Sequence, residues 1–98
     1  RFKILFDAYN PCVYGIDPLK LLGMDERMLA PHAHIKDGIG SDLGCVPVGE
    51  GEGRLDATLA QIASGSLFDT LVLETDYRRL GIAVMHRDIN RLRCQFNH

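Results

Sequence analysis

The chain has 98 residues, of which 46% are apolar and 24% are charged, and its formal net charge is −2. These values are typical of one small globular domain, and the slightly acidic balance argues against a nucleic-acid partner. No apolar run approaches the roughly 20 residues that a membrane-spanning helix needs, so we expect no membrane partner either.

The first half of the chain predicts two strands with a helix between them. Residues 2–6 form a near-continuous apolar run that ends at Asp7, which favours a strand covered on both faces. Residues 17–23 begin with an Asp-Pro pair and end with glycine, a pattern typical of a short helix. Residues 30–35 predict a second strand, although a proline and two histidines lower its strand propensity.

The second half continues this alternation after a long glycine-rich segment. Residues 38–54 hold six glycines and show no periodicity, and so long a loop in a compact domain is usually functional. A helix is predicted over residues 56–63, a third apolar strand over residues 70–73 followed by Glu74, and a final helix over residues 82–93. We interpret the apolar stripe of the final helix as a packing surface.

The order β-α-β-α-β-α predicts a parallel α/β fold. Because a (β/α)8 barrel takes about 250 residues, the sequence supplies roughly three of its eight units. The N-terminus at Arg1 has neither a signal-peptide pattern nor an initiating Met, which we expect of a piece of a longer chain. Three cysteines without Cys-x-x-Cys spacing make a disulfide framework unexpected and favour a reducing, cytoplasmic location.

Each predicted strand ends near a residue that can bind a metal. Asp7 ends the first strand, His34 lies near the end of the second, and Glu74 follows the third. Because parallel strands carry their C-terminal ends to one edge of the sheet, these side chains can converge. Carboxylates combined with an imidazole suit Mn²⁺, Mg²⁺, Co²⁺ or Zn²⁺. His32 shares a strand face with His34 and is a competing ligand.

Structural alternatives stay open for these three residues. Asp7 can be a turn or cap residue, because aspartate side chains accept hydrogen bonds from nearby backbone N–H groups. His34 can be a hydrogen-bonded core histidine, and Glu74 can be the first solvated residue after its strand.

The residues that follow the second strand also admit two interpretations each. Lys36 can orient substrate oxygens, or it can pair with Asp37 or Glu74. Asp37 can instead be a structural acceptor that fixes the loop. The turn over residues 49–53 can receive a phosphate on its backbone N–H groups, or it can simply lead into the next helix.

Three segments taken together resemble the sugar phosphate isomerase/epimerase family. They are residues 32–37 (His-Ala-His-Ile-Lys-Asp), 47–51 (Pro-Val-Gly-Glu-Gly) and 71–74 (Leu-Val-Leu-Glu). Residues 6–10 also match the Asp-x-x-Asn or Asp-x-x-His strand end of that family. The family shares the xylose isomerase-like TIM barrel. The resemblance therefore implies that residues 1–98 are the C-terminal part of one such domain, comprising three of its βα units.

The resemblance further implies roles for individual residues. Asp7, His34 and Glu74 match three metal ligands, and Glu74 also matches one member of the catalytic acid/base pair. A fourth ligand, a glutamate on an earlier strand, would lie upstream of this chain.

A substrate-binding set is predicted from three further residues. Asn10 stands where some epimerases of the family carry a substrate-binding histidine. Lys36 and His32 complete the set, whereas the arginine that these epimerases place in the loop after the second strand has no counterpart here.

We therefore expect a divalent-metal-dependent sugar or sugar phosphate isomerase or epimerase that acts through a metal-stabilised enediolate. Its substrate would be a small sugar or polyol, and related barrels catalyse dehydration, so the sugar, the metal and the exact reaction stay open. A homo-oligomer of the full-length enzyme is compatible with the sequence.

Two other functions are compatible with the same residues. An endonuclease IV-like DNA-repair nuclease shares the barrel, but residues 38–53 hold no histidine and the charge balance is acidic. The third hypothesis is a non-catalytic truncated fragment, which we would expect not to fold stably alone and to bind metal weakly.

Overall fold

The structure, a computed structural model, describes residues 2–65 and 67–96. In chain order the elements are β1 (Ile4–Asp7), α1 (Asn10–Val13), α2 (Pro18–Leu22), a 3-10 helix (Glu26–Met28), β2 (Leu29–Ile35), β3 (Gly38–Ile39), β4 (Asp42–Leu43), α3 (Leu55–Ala63), β5 (Thr70–Leu73), α4 (Tyr77–Leu80) and α5 (Ile82–Phe96).

The three predicted strands form one parallel sheet with β2 in the centre. The strand order is β1-β2-β5, and both pairings are parallel. In register, Asp7 faces His34 across the first pairing, and His34 faces Val72 across the second. Parallel neighbours require a crossover, and α2 and α3 lie in the two connections. The predicted parallel α/β arrangement of three strands is therefore confirmed.

The helices cover one face of this sheet and build the core there. Ala33 and Ile35 of β2 are fully buried in a cluster with Leu55, Leu59 and Ile62 of α3. Because side chains alternate across a strand, His32 and His34 lie on the opposite face from Ala33 and Ile35. The helical face thus supplies packing, and the other face of β2 carries the polar residues.

The start of the first strand differs from the prediction. β1 begins at Ile4, and Phe2 is 99% exposed and lies outside the strand. The helix before β2 begins as predicted, because the Asp17 side chain accepts a hydrogen bond from the backbone N–H of Leu19 at 3.0 Å. Gly23 follows that helix with an ordinary right-handed φ of −81°, so no left-handed turn ends it.

The second half of the chain departs from the prediction at two places. The segment over residues 38–54 contains a short antiparallel hairpin of β3 and β4, which its lack of periodicity did not indicate. The final helix continues to Phe96, and its stripe is only partly a packing surface, because Ile82 is 66% exposed while Leu92 packs on the core. None of the helices in the described parts of the chain has the length and apolarity that a membrane crossing requires.

Candidate metal centre

The C-terminal edge of the parallel sheet brings Asp7, His34 and Glu74 together. Asp7 is the last residue of β1 and lies in register with His34 of β2. Glu74 follows β5, and its backbone N–H donates to the carbonyl oxygen of Ile35 at 2.9 Å, which extends the ladder beyond the strand. One edge of the sheet therefore presents all three residues that were predicted as metal ligands.

The donor atoms of these residues lie close enough to share one cation. One side-chain donor atom from each residue lies within 4.8 Å of those of the other two. Metal–ligand bonds of about 2.0–2.2 Å place neighbouring donors roughly 3–3.5 Å apart, so the side chains would have to move inward to share one ion. Two carboxylates and an imidazole are a donor set that suits Mn²⁺, Mg²⁺, Co²⁺ or Zn²⁺. The fit is chemical and geometric, and metal binding itself stays a prediction.

The two carboxylate oxygens of Asp7 have different partners. Oδ1 accepts hydrogen bonds from the backbone N–H groups of Tyr9 at 2.9 Å and Asn10 at 2.7 Å, which lie at the start of α1. Oδ2 accepts from Nζ of Lys36 at 2.7 Å. Burial alone would raise the pKa of Asp7, but these hydrogen bonds outweigh burial and hold the pKa below its ordinary value. Asp7 is therefore a turn residue and a member of the polar cluster at the same time.

Lys36 lies between the two carboxylates. Its side chain is only 9% exposed, and Nζ donates to Oδ2 of Asp7 at 2.7 Å and to Oε1 of Glu74 at 3.0 Å. Burial alone would lower the pKa of Lys36, but the hydrogen bonds to Asp7 and Glu74 outweigh it and raise the pKa. Of the partners that the sequence suggested, Glu74 is used and Asp37 is not, and Asp7 is a partner that the sequence did not indicate.

His34 contacts Glu74 directly at the rim of the cluster. Its Nδ1 lies 2.9 Å from Oε1 of Glu74, and the side chains of the two residues are 24% and 34% exposed. The competing imidazole of His32 is exposed, with its ring centroid 6.1 Å from that of His34, and it is not among the converging donors. Asn10 is exposed beside Asp7, so a substrate-binding role for Asn10, His32 or Lys36 stays a prediction.

The fully buried Asp37 organises the glycine-rich loop that follows β2. Four backbone N–H groups of this loop donate to its carboxylate at 2.9–3.0 Å, two to each oxygen, from Gly38, Gly49, Gly51 and Gly53. The second sequence interpretation of Asp37, a structural acceptor, is therefore the one the structure shows. The phosphate interpretation of the turn over residues 49–53 is wrong, because the N–H groups of its three glycines are already used.

Close backbone approach explains why glycine occupies two of these positions. A Cβ at Gly51 would lie 2.4 Å from the carbonyl oxygen of Gly38 and 2.5 Å from Oδ1 of Asp37. A Cβ at Gly53 would lie 2.8 Å from Oδ1 of Asp37 and from the ring of buried Tyr9. Larger residues would therefore push the loop off the Asp37 carboxylate.

The last helix holds the same loop from its other side, through residues that the sequence analysis did not identify. The buried carboxylate of Asp88 accepts hydrogen bonds from the hydroxyl of Tyr77 at 2.8 Å and from the backbone N–H of Val48 at 3.3 Å. Arg91 donates to the carbonyl oxygen of Val48 at 2.6 Å. The only sequence signal was a charged residue on the inner side of an amphipathic helix.

The chain is similar to a curated epimerase. It is 39% identical over 79 residues to the 2-epi-5-epi-valiolone 7-phosphate 2-epimerase of Actinoplanes sp. strain SE50/110. The match covers 79% of this chain and 29% of that enzyme, so the chain spans less than a third of the length of this relative. No protein-family model matches the chain, and no solved structure matches it. The similarity is consistent with the sugar phosphate epimerase family that the sequence motifs resemble.

Proposed function

We propose that the chain is part of a divalent-metal-dependent epimerase or isomerase that acts on a sugar phosphate or a related polyol phosphate. The observation that carries the proposal is the convergence of Asp7, His34 and Glu74 at one edge of a parallel sheet. The similarity to a sugar phosphate epimerase supports the reaction class, and the name of that enzyme supports a phosphorylated substrate.

Asp7, His34 and Glu74 would hold the metal ion in this proposal. When bound, the ion supplies a Lewis acid that stabilises the negative charge of an enediolate next to the substrate carbonyl. Asp7 is buried and fixed by three hydrogen bonds, which suits a ligand that stays in place during turnover.

Glu74 is the residue best placed to move a proton. Its side chain is 34% exposed, so a substrate can reach it from the open edge of the sheet. Among residues 2–65 and 67–96, hydrogen-bond partners contact only Oε1, which leaves Oε2 available for a substrate C–H group. A carboxylate in this position can remove a proton from the carbon next to a carbonyl and return it.

We also propose that the sheet belongs to a (β/α)8 barrel and that residues 1–98 are its C-terminal part. Both outer strands, β1 and β5, have an unpaired edge within the described chain, with Ile4 and Leu5 each 43% exposed and Val72 38% exposed. A groove of about 570 Å³ runs between β5 and α5, and polar residues such as Asp69 and Arg93 line it together with the apolar Phe68, Leu71, Leu73, Leu92 and Phe96. Further strands and helices of a longer chain would cover these surfaces and supply additional ligands.

The substitution Glu74→Gln tests the proposal in the longer protein that contains this chain. It keeps the shape of the side chain and removes its capacity to take up a proton. We expect loss of turnover, and of solvent-deuterium incorporation at the epimerised carbon of a sugar phosphate panel, with an unchanged circular dichroism spectrum. Glu26→Gln is the matched control, since Glu26 is an exposed residue of the 3-10 helix. Turnover of the Glu74 variant within a few-fold of the wild type would refute the acid/base role.

A further inference from the structure

A lysine ammonium stands within the cluster where the proposed metal ion would bind. Among the described residues, the carboxylates of Asp7 and Glu74 accept hydrogen bonds from Nζ of Lys36. Lysine side chains are almost never this deeply buried unless they are paired. The side chain of Lys36 is 9% exposed and reaches both partners, one on each flanking strand end. The positive charge of Lys36 therefore lies between two carboxylates at the C-terminal edge of the sheet.

The placement of Lys36 follows from the strand geometry. It lies two residues after His34, so both side chains belong to the same face of the chain at the end of β2. Asp7 ends the strand on one side of β2, and Glu74 follows the strand on the other. A cation just after the central strand can thus contact carboxylates from both neighbours, and no other side chain of residues 2–65 and 67–96 hydrogen-bonds to both.

The charges of the cluster set up a competition. With His34 neutral, the three converging side chains carry two negative charges, from Asp7 and Glu74, and the ammonium of Lys36 offsets one of them. A divalent cation at the same carboxylates gains their attraction but also meets the repulsion of the ammonium. Repulsion between two positive charges a few ångströms apart in a partly buried site is large. We therefore expect its effect on metal affinity to exceed the effect of the looser Asp7 and Glu74 side chains that removal of Lys36 would produce.

We propose that Lys36 is a resident cation: it holds Asp7 and Glu74 facing each other when no metal is bound, and it lowers the affinity of the site for divalent metal. This role rests on the metal centre of the proposed function. It makes Lys36 a positioning residue for the ligands, in place of the substrate contact that the sequence analysis predicted. In this role the ammonium group of Lys36 neutralises part of the charge of Asp7 and Glu74 in the absence of metal, and it allows a bound metal ion to dissociate more easily.

The direction in which metal affinity changes on removal of Lys36 distinguishes this role from a merely structural one. A lysine that only supports the fold would, on removal, loosen the ligands and weaken metal binding. A competing cation would, on removal, leave the carboxylates to the metal alone and strengthen its binding.

The test measures the dissociation constant for Mn²⁺ by isothermal titration calorimetry, with the complete metal-stripped protein that contains this chain. We expect Lys36→Met to bind Mn²⁺ about tenfold more tightly or better than the wild type, because one positive charge next to the site is gone. Lys36→Arg keeps the positive charge, so its dissociation constant for Mn²⁺ should match that of the wild type. Lys20→Met, at an exposed position of α2, is the matched control and should leave it unchanged.

A second neutral variant covers the case in which the methionine variant does not fold. Lys36→Gln retains a hydrogen-bond donor without the charge and should also tighten Mn²⁺ binding. Wild-type binding of Mn²⁺ with equal or weaker binding by the folded neutral variants would overturn the inference and leave the proposed function standing. A raised KM with an unchanged Mn²⁺ constant would assign Lys36 to substrate binding. Absence of Mn²⁺ binding by the wild type and all variants would overturn the metal centre and this inference together.

Discussion

The buried carboxylate of Asp37 should be the most sensitive structural position in the glycine-rich loop. The substitution Asp37→Asn replaces one carboxylate oxygen with an NH₂ group, which cannot accept hydrogen bonds. Each oxygen of the aspartate accepts two backbone N–H groups, so either orientation of the amide leaves two N–H groups of the loop without an acceptor. At about 1.5–3 kcal/mol for each hydrogen bond to a charged group, the expected loss is roughly 3–6 kcal/mol. A typical domain has a total stability of only about 5–15 kcal/mol, so much of it would be lost.

Urea denaturation, followed by circular dichroism, would measure this loss. The matched control is Asp42→Asn, because Asp42 lies in the same loop but is exposed and contacts Arg79 at 3.4 Å. Exposed ion pairs contribute about 0–1 kcal/mol, so the control should lie close to the wild type. A loss below about 1 kcal/mol in the Asp37 variant would show that the four N–H groups find other acceptors, and the reasoning would fail.

Three further outcomes follow from the structure. His34→Ala should weaken Mn²⁺ binding in a calorimetric titration much more than His32→Ala. The reverse order would show that His32, and not His34, is the ligand. Burial and the hydrogen bond to Asp88 raise the pKa of Tyr77 from 10.0 to about 12, so the unfolded chain loses this proton first and stability should fall as pH rises from about 10 to about 12. Thermal melts of Tyr77→Phe should lack this component of the alkaline loss, and equal slopes for both proteins would contradict it. The chain of residues 1–98 expressed alone should not fold stably, and a cooperative melt with a metal-dependent midpoint would disprove this.

The sheet and the polar cluster could be predicted because they depend on local patterns and on one topological rule. Short apolar runs located all three strands, and parallel pairing then places their C-terminal ends at one edge. Asp7, His34 and Glu74 therefore had to be neighbours once the strands were correct. The N-terminal bound of β1 was less accurate, since Phe2 is as apolar as Ile4, Leu5 and Phe6, and only pairing with β2 decides where the strand begins.

The partners of the buried charges could not be predicted in the same way. Asp37 accepts hydrogen bonds from N–H groups that lie up to 16 residues away. Every residue except proline has a backbone N–H group, so the residue types do not show which of these groups donate to Asp37. The alternate glycines at 49, 51 and 53 fit this arrangement, but they fit a free anion site equally well. Asp88 likewise accepts a hydrogen bond from the N–H of Val48, 40 residues away, and Lys36 donates to Asp7, 29 residues away, so only the folded chain shows these two partners.

The different hydrogen-bond partners of the two Asp7 oxygens have a consequence for mutagenesis. One oxygen anchors the first turn after β1, through Tyr9 and Asn10, while the other belongs to the polar cluster. Any replacement of Asp7 that removes both oxygens therefore disturbs the backbone of this turn and the pairing with Lys36 together, and the two effects could not be measured separately. Substitution of His34, whose side chain has no such role in the backbone of a turn, is therefore the clearer test of the proposed metal site.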